Sequence, residues 1–196
     1  GINLKGSLSL ESFFKQNINL FKYFYGFSFQ IDIDDNIWEK ILIIEKHCKS
    51  SQIFPIIHIN LYNEKSSIPN FDDYKIANKS VLALIASYSI EKGTIFLDTI
   101  MDIDRGSHPR NGFVDRRGNF RLSVYYFQKL IPKLSKISKN SKLVLEEILQ
   151  NKNYILACFS NEIDRFAIKL KSNESSSSDI YFETHSDSRV VIDLLK

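Results

Sequence analysis

Apolar positions along the first two thirds of this chain follow two periods in turn, helical and extended. Residues 8–24, LSLESFFKQNINLFKYF, place Leu10, Phe13, Phe14, Ile18, Phe21 and Phe24 on one stripe at helical spacing. Ser7 or Ser9 can cap that helix and Gly26 stops it. Phe27 to Ile33, FSFQIDI, switches to alternation and predicts a strand. Asp34, Asp35 and Asn36 then cap a helix from Ile37 to Cys48, with Ile37, Trp38, Ile41 and Ile44 on its buried side. Phe54 to Leu61, FPIIHINL, is a short isoleucine-rich run of the kind buried in parallel sheets. Pro55 belongs near its start, because proline cannot donate to a central ladder. A polar loop, Asn63 to Asn70, leads to a helix opened by Asp72 and Asp73 and running to about Ile90. Ala77, Val81, Leu84, Ile85 and Tyr88 face inward on it, and Gly93 ends it. Thr94 to Ile103 reads as a third strand, and Leu122 to Leu134 as the next helix.

Helices alternating with strands predict parallel βαβ units with right-handed crossovers, an α/β fold. Three parallel strands are too few to close a barrel, and they leave edges that natural sheets avoid. After Ser141 the texture changes. LVLEEIL, YILACFS, RFAIKLK, DIYFETH and RVVIDLL are short runs divided by turn residues, and NESSSSD, Asn173 to Asp179, reads as a hairpin loop or disordered tip. This part predicts a small antiparallel β segment beside the α/β part. The expected division is residues 1–138 for the α/β portion and 139–196 for a small β-sheet domain.

Composition narrows the classes. The chain has 196 residues, 43% hydrophobic and 13% aromatic, which supports a folded core and argues against disorder. The net charge of +3 is small, and lysines are scattered among Asn, Ile and Ser, so the balance gives little support to a polyanion partner. Cys48 and Cys158 are distant in sequence and lack CxxC spacing; they read as two reduced thiols. No apolar run is long enough to span a bilayer, and nothing at the start resembles a signal peptide. The chain begins Gly1-Ile2-Asn3 and its one methionine is Met101, which suggests a processed chain or a piece of something larger. No pair of histidines has metal-ligand spacing, and no cofactor is implied.

The predicted topology gathers polar side chains at the carboxyl ends of the strands. Gln30, Asp32 and Asp34 end the first; Asn60, Tyr62, Asn63 and Glu64 end the second; Asp98, Asp102, Asp104, Arg105, His108 and Arg110 follow the third. Such ends lie on one rim, where (β/α)8 barrels place their sites. Amides and carboxylates donate to and accept from hydroxyls, and an aromatic face covers the C–H side of a sugar ring, so this mix suits a polyhydroxylated ligand. Each residue also has a plainer reading. Glu64 beside Lys65 suits a solvated loop, and Asp102 and Asp104 suit an ion-pair network with Arg105 and Arg110. His58 suits a hydrogen-bonded histidine inside its strand, which leaves His108 as the better site candidate. Asp115 with Arg116, Arg117 and Arg121 around Gly118-Asn119 reads as a turn stapled by ion pairs.

GFSFQIDIDDNIWEKI, FPIIHINLYNE and GFVDRRGNFRLSVYYFQKL resemble the sixth, seventh and eighth strand–helix segments of retaining (β/α)8 glycoside hydrolases, including xylanase-like families. YILACFSNEIDRFAIKLK and RVVIDLL are similar to the small β domain, a β-sandwich, that often follows such barrels. The resemblance implies a partial (β/α)8 (TIM) barrel comprising its last three strand–helix units. It implies a carbohydrate ligand bound by Gln30, Asp32, Asn60, Tyr62, Asp102, Asp104 and His108. Retaining hydrolysis needs a nucleophile and an acid/base about 5 Å apart. Aligning PIIHIN on the family pattern puts Asn60 at the nucleophile position, and an amide cannot take that role. Glu64 is the nearby glutamate that remains as catalytic candidate. The family's acid/base ends strand four, which the resemblance places upstream of Gly1. The expected activity, hydrolysis of O-glycosidic bonds, therefore depends on an upstream segment or second chain that completes the barrel. Two alternatives stand beside it. One is a non-catalytic carbohydrate-binding or interaction module. The other is phosphate or single-stranded nucleic-acid binding through the Arg105–Arg121 loop, opposed by Asp102, Asp104 and Asp115 in the same stretch.

Overall fold

The computed structural model describes residues 10–61, 73–97, 100–102 and 112–137, and five strands between residues 144 and 193. Helix α1 spans Leu10–Phe21. It turns its aromatic stripe inward: Phe14 lies 5.4 Å from Phe21 and 5.6 Å from Phe29, and stacks at 4.5 Å on His47. Burying each of these phenylalanines contributes about 2 kcal/mol, which fixes a helix too short to be stable alone. The helix ends earlier than its apolar stripe suggests. Tyr23 and Phe24 donate to the carbonyls of Leu20 and Phe21, three residues back, and this tightening turns Phe24 out of the core to 54% exposure.

Strand β1, Gly26–Asp32, pairs in parallel with β2, Phe54–Asn60, and β2 with β3, Thr94–Leu97. Helix α2, Ile37–Ser50, is capped by Asn36, whose Oδ1 accepts the Glu39 N–H at 3.3 Å. It buries Ile37, Trp38, Ile41, Ile44 and Cys48. Pro55 stands second in β2, as a residue without an N–H must. Helix α3, Asp73–Ser89, and helix α4, Leu122–Ile137, pack together, and the Tyr88 and Ser135 hydroxyls meet at 3.1 Å. On α3, Ala77, Val81 and Ile85 are buried, whereas Leu84 and Tyr88 are only partly so.

The third strand is shorter than its apolar run. The described β3 pairs Thr94 with Ile56 through Leu97 with Ile59. Beyond it the backbone takes a new partner: Met101 bridges Val114, and the Asp102 N–H donates to the Val114 carbonyl at 3.0 Å. Ile100 and Met101 are exposed rather than buried in a sheet.

The strand order β1-β2-β3 follows the sequence, so successive right-handed crossovers place the helices on one face. Burial alternates accordingly. Phe29, Ile31, Ile57 and Ile59 point to the helices and are 0–1% exposed. The register sets Ser28 beside Ile56 and Thr94, Gln30 beside His58 and Phe96, and Asp32 beside Asn60 on the other face. There Ile56 is 36% and Phe96 53% exposed. A parallel sheet is ordinarily covered on both faces; among the described residues, helices cover this one on a single side.

Strands β4 (Val144–Gln150), β5 (Tyr154–Ser160), β6 (Arg165–Lys171), β7 (Asp179–Glu183) and β8 (Arg189–Asp193) form a five-stranded antiparallel sheet in sequence order. β6 lies against α3, and Ile168 is fully buried in the same core as the helices.

Candidate functional site

The carboxyl ends of β1 and β2 bring three of the candidate residues into contact. Asp32 Oδ1 accepts hydrogen bonds from Gln30 Nε2 at 3.3 Å and from Asn60 Nδ2 at 3.2 Å. All three side chains are half-buried, as is His58 beside Gln30 in the register. Alternation in FSFQIDI puts Gln30 and Asp32 on one face two residues apart, and the one-to-one parallel register sets Asn60 opposite Asp32.

The turn after β1 holds this carboxylate in place. The Asp32 N–H donates to Asp35 Oδ2 at 3.0 Å, and the Asp35 N–H returns to the Asp32 carbonyl at 2.9 Å. Lys40 pairs with Asp35 at 2.6 Å, and Lys75 pairs with Asp34. Lys79 reaches in from α3 to the Asp35 carbonyl at 2.9 Å. Burial pushes the Lys79 ammonium below the usual lysine range, and the positive charge of Lys75 adds to the shift. The strand end is thus an acceptor-rich rim set among lysines. Asp34 belongs to its outer ion pairs, not to its inner group.

Asp102 has a different set of partners. Its side chain is 1% exposed, pairs with Arg121 at 2.5 Å, and accepts the Gly112 N–H at 2.8 Å. Neither oxygen contacts Gln30, Asp32 or Asn60. The pair fastens the exit of β3 to the start of α4, where the Arg121 N–H also donates to the Phe113 carbonyl at 2.9 Å. Gly112 is required here: a Cβ would meet the Asp102 backbone nitrogen at 2.7 Å and the Met101 carbonyl carbon at 2.8 Å. Among the described residues Asp102 pairs with Arg121, 19 residues on; the ion-pair network expected with Arg105 and Arg110 falls outside the described residues. Tyr62, Glu64, Asp104, His108, Arg105 and Arg110 lie outside the described residues.

Asp115 staples its turn by hydrogen bonds. Its Oδ1 accepts the N–H groups of Arg117 at 2.7 Å and Asn119 at 2.8 Å, and Oδ2 accepts the Asn119 amide at 2.8 Å. These bonds, led by the Asn119 side chain, hold the Asp115 carboxyl below the usual aspartate range. Arg116, Arg117 and Phe120 are exposed, while Arg121 is committed to Asp102 and Phe113 packs on Phe127 at 5.4 Å. The arginine surface is therefore smaller than the sequence suggests. Among the described residues no three His, Cys, Asp or Glu side chains gather as metal ligands, and no helix is long and apolar enough to cross a membrane.

Neither a protein-family model nor a curated protein matches this chain. A solved structure does: a family 39 glycoside hydrolase from the gut symbiont Bacteroides cellulosilyticus WH2. The two superpose with a TM-score of 0.51 at 11% identity, over 93% of this chain and 45% of that one. The chain thus spans less than half the length of that protein. At this identity the likeness is one of fold. It defines a mixed α/β chain whose three-stranded parallel sheet is compatible with part of a barrel.

Proposed function

We infer that this chain binds carbohydrate at the rim formed by Gln30, Asp32 and Asn60, as part of a (β/α)8 barrel of the retaining glycoside hydrolase kind. The observation that carries the reading is the shared carboxylate: Asp32 takes an amide N–H from each side. A carboxylate between two amides offers acceptors and donors at the spacing of neighbouring sugar hydroxyls. The fold likeness to a family 39 glycoside hydrolase supports the same ligand class. Tyr62, Glu64, Asp104 and His108 would extend the rim from the loops that follow β2 and β3.

Hydrolysis requires a second carboxyl group about 5 Å from the first. Asn60 cannot serve as nucleophile, so Glu64 is the residue to test, and the acid/base must come from further strands. Those strands, from an upstream segment or a second chain, would cover the face that bears Ile56, His58 and Phe96. In this reading residues 1–138 form the barrel portion and 139–196 the β domain. Binding without hydrolysis is the second reading, favoured by the amide at position 60.

Titration calorimetry of the chain against xylo-, gluco- and manno-oligosaccharides tests it. The expected result is saturable binding to one of them, weakened about tenfold or more in Asp32→Ala by the loss of a charged hydrogen-bond acceptor. Binding that is unchanged in Asp32→Ala, or absent for every sugar while single-stranded DNA binds with a steep salt dependence, would overturn it.

A further inference from the structure

Helix α3 reaches back to the turn after β1, although α2 and β2 lie between them in the chain. Lys75 and Lys79 stand four residues apart and so share one face of that helix. Lys75 pairs with Asp34, and Lys79 donates to the Asp35 carbonyl at 2.9 Å. Lys79 stands between Asn78 and Ser80, both buried, and is itself half-buried. An ammonium gives up hydration at such a position, and burial weakens its hold on the proton. Balancing the acids of the turn asks for no such burial. Lys75 balances Asp34 from a side chain that is 41% exposed.

What the Lys79 bond fixes is Asp35. The Asp35 N–H donates to the Asp32 carbonyl at 2.9 Å. Its Oδ2 accepts the Asp32 N–H at 3.0 Å and pairs with Lys40 at 2.6 Å. Those bonds are made within residues 32–40 and move with the turn. The Lys79 bond instead anchors the turn to a helix packed against α2 and α4. The Lys75–Asp34 pair also bridges to α3, but between half-exposed side chains, where ion pairs contribute little. Asp32 is therefore held through Asp35 at its N–H, while its Oδ1 meets Gln30 at 3.3 Å and Asn60 at 3.2 Å.

We propose that Lys79 is a positioning residue for Asp32: through the Asp35 carbonyl it holds the turn so that the Asp32 carboxylate meets Gln30 and Asn60. Its effect on sugar binding rests on the carbohydrate reading of that rim; its hold on Asp32 does not.

Backbone amide hydrogen exchange of the 196-residue chain, followed by NMR, reads that hold without a ligand. Lys79→Met keeps a long side chain and removes the donor. It should speed exchange at Asp32 and Asp35 about fivefold, the worth of one hydrogen bond. Ile44 and Ile85, buried inside α2 and α3, should exchange as in the parent; a general loss of stability would speed all four together. Lys75→Met, the same charge change one turn away, should leave Asp32 unchanged. Calorimetry with an oligosaccharide that the parent binds should show the same order, with affinity about fivefold weaker in Lys79→Met and unchanged in Lys75→Met. Unaltered exchange at Asp32 in Lys79→Met, equal acceleration at Ile44 and Ile85, or the same effect from Lys75→Met would overturn the proposal. Sugar binding weakened in Asp32→Ala but intact in Lys79→Met would also overturn it and leave the rim reading standing. Absence of sugar binding would sink the rim reading instead, and exchange at Asp32 would still decide what Lys79 does.

Discussion

Two aspartates show how burial decides what a carboxylate does. Asp102 is shut away with Arg121, so Arg121→Ala leaves a charge buried without its cation. The expected loss is about 3 kcal/mol in urea denaturation, more than Asp102→Asn in an Arg121→Met background, where no uncompensated charge remains. Asp115 acts at the surface through hydrogen bonds that favour its ionised form. Its folded pKa is depressed below 3.8, so its stabilisation is fully present above that value and is lost as pH falls through the folded pKa. Melting curves should accordingly show Asp115→Ala less stable than the parent at pH 7, with the difference shrinking below about pH 4. The neighbourhood of Asp32 was readable in advance, because alternation and parallel register are enough to place Gln30, Asp32 and Asn60 together. The Arg121 pairing was not readable. Several arginines lie near Asp102 in sequence, and the turn built around Gly112 brings a distant one, Arg121, to it.

Among the elements, those with a start signal were the most legible. Asp34-Asp35-Asn36 announces α2, and the structure uses Asn36; Asn36→Ala should cost about 1 kcal/mol by chemical denaturation with no change in the slope of the transition. The end of α1 and the end of β3 were not legible. Apolar residues run past both described ends, at Phe24 and at Ile100 and Met101.

For the molecule as a whole, the two faces of the parallel sheet should respond differently to the same change. Ile57→Ala, on the helix side, should cost about 3 kcal/mol through lost burial and the cavity left behind. Ile56→Ala, next in sequence but on the opposite face, should cost less than about 1 kcal/mol in this chain. Equilibrium denaturation of both variants checks the contrast. Further strands laid over the open face would raise the second value toward the first, so the pair also reports whether that face is covered. A cost at Ile56 already as large as at Ile57 would mean that the face is not open in this chain.

Strand order has a consequence for how the molecule assembles. In both sheets every described pairing joins strands that are consecutive in the chain, β1 to β2 to β3 and then β4 through β8. Among the described strands each one therefore pairs with a strand already made. The closures are short between the antiparallel strands, whereas each parallel pairing spans about 30 to 40 residues through a crossover helix. A ribosome releasing this chain from its amino end would deliver the strands in the order in which they dock.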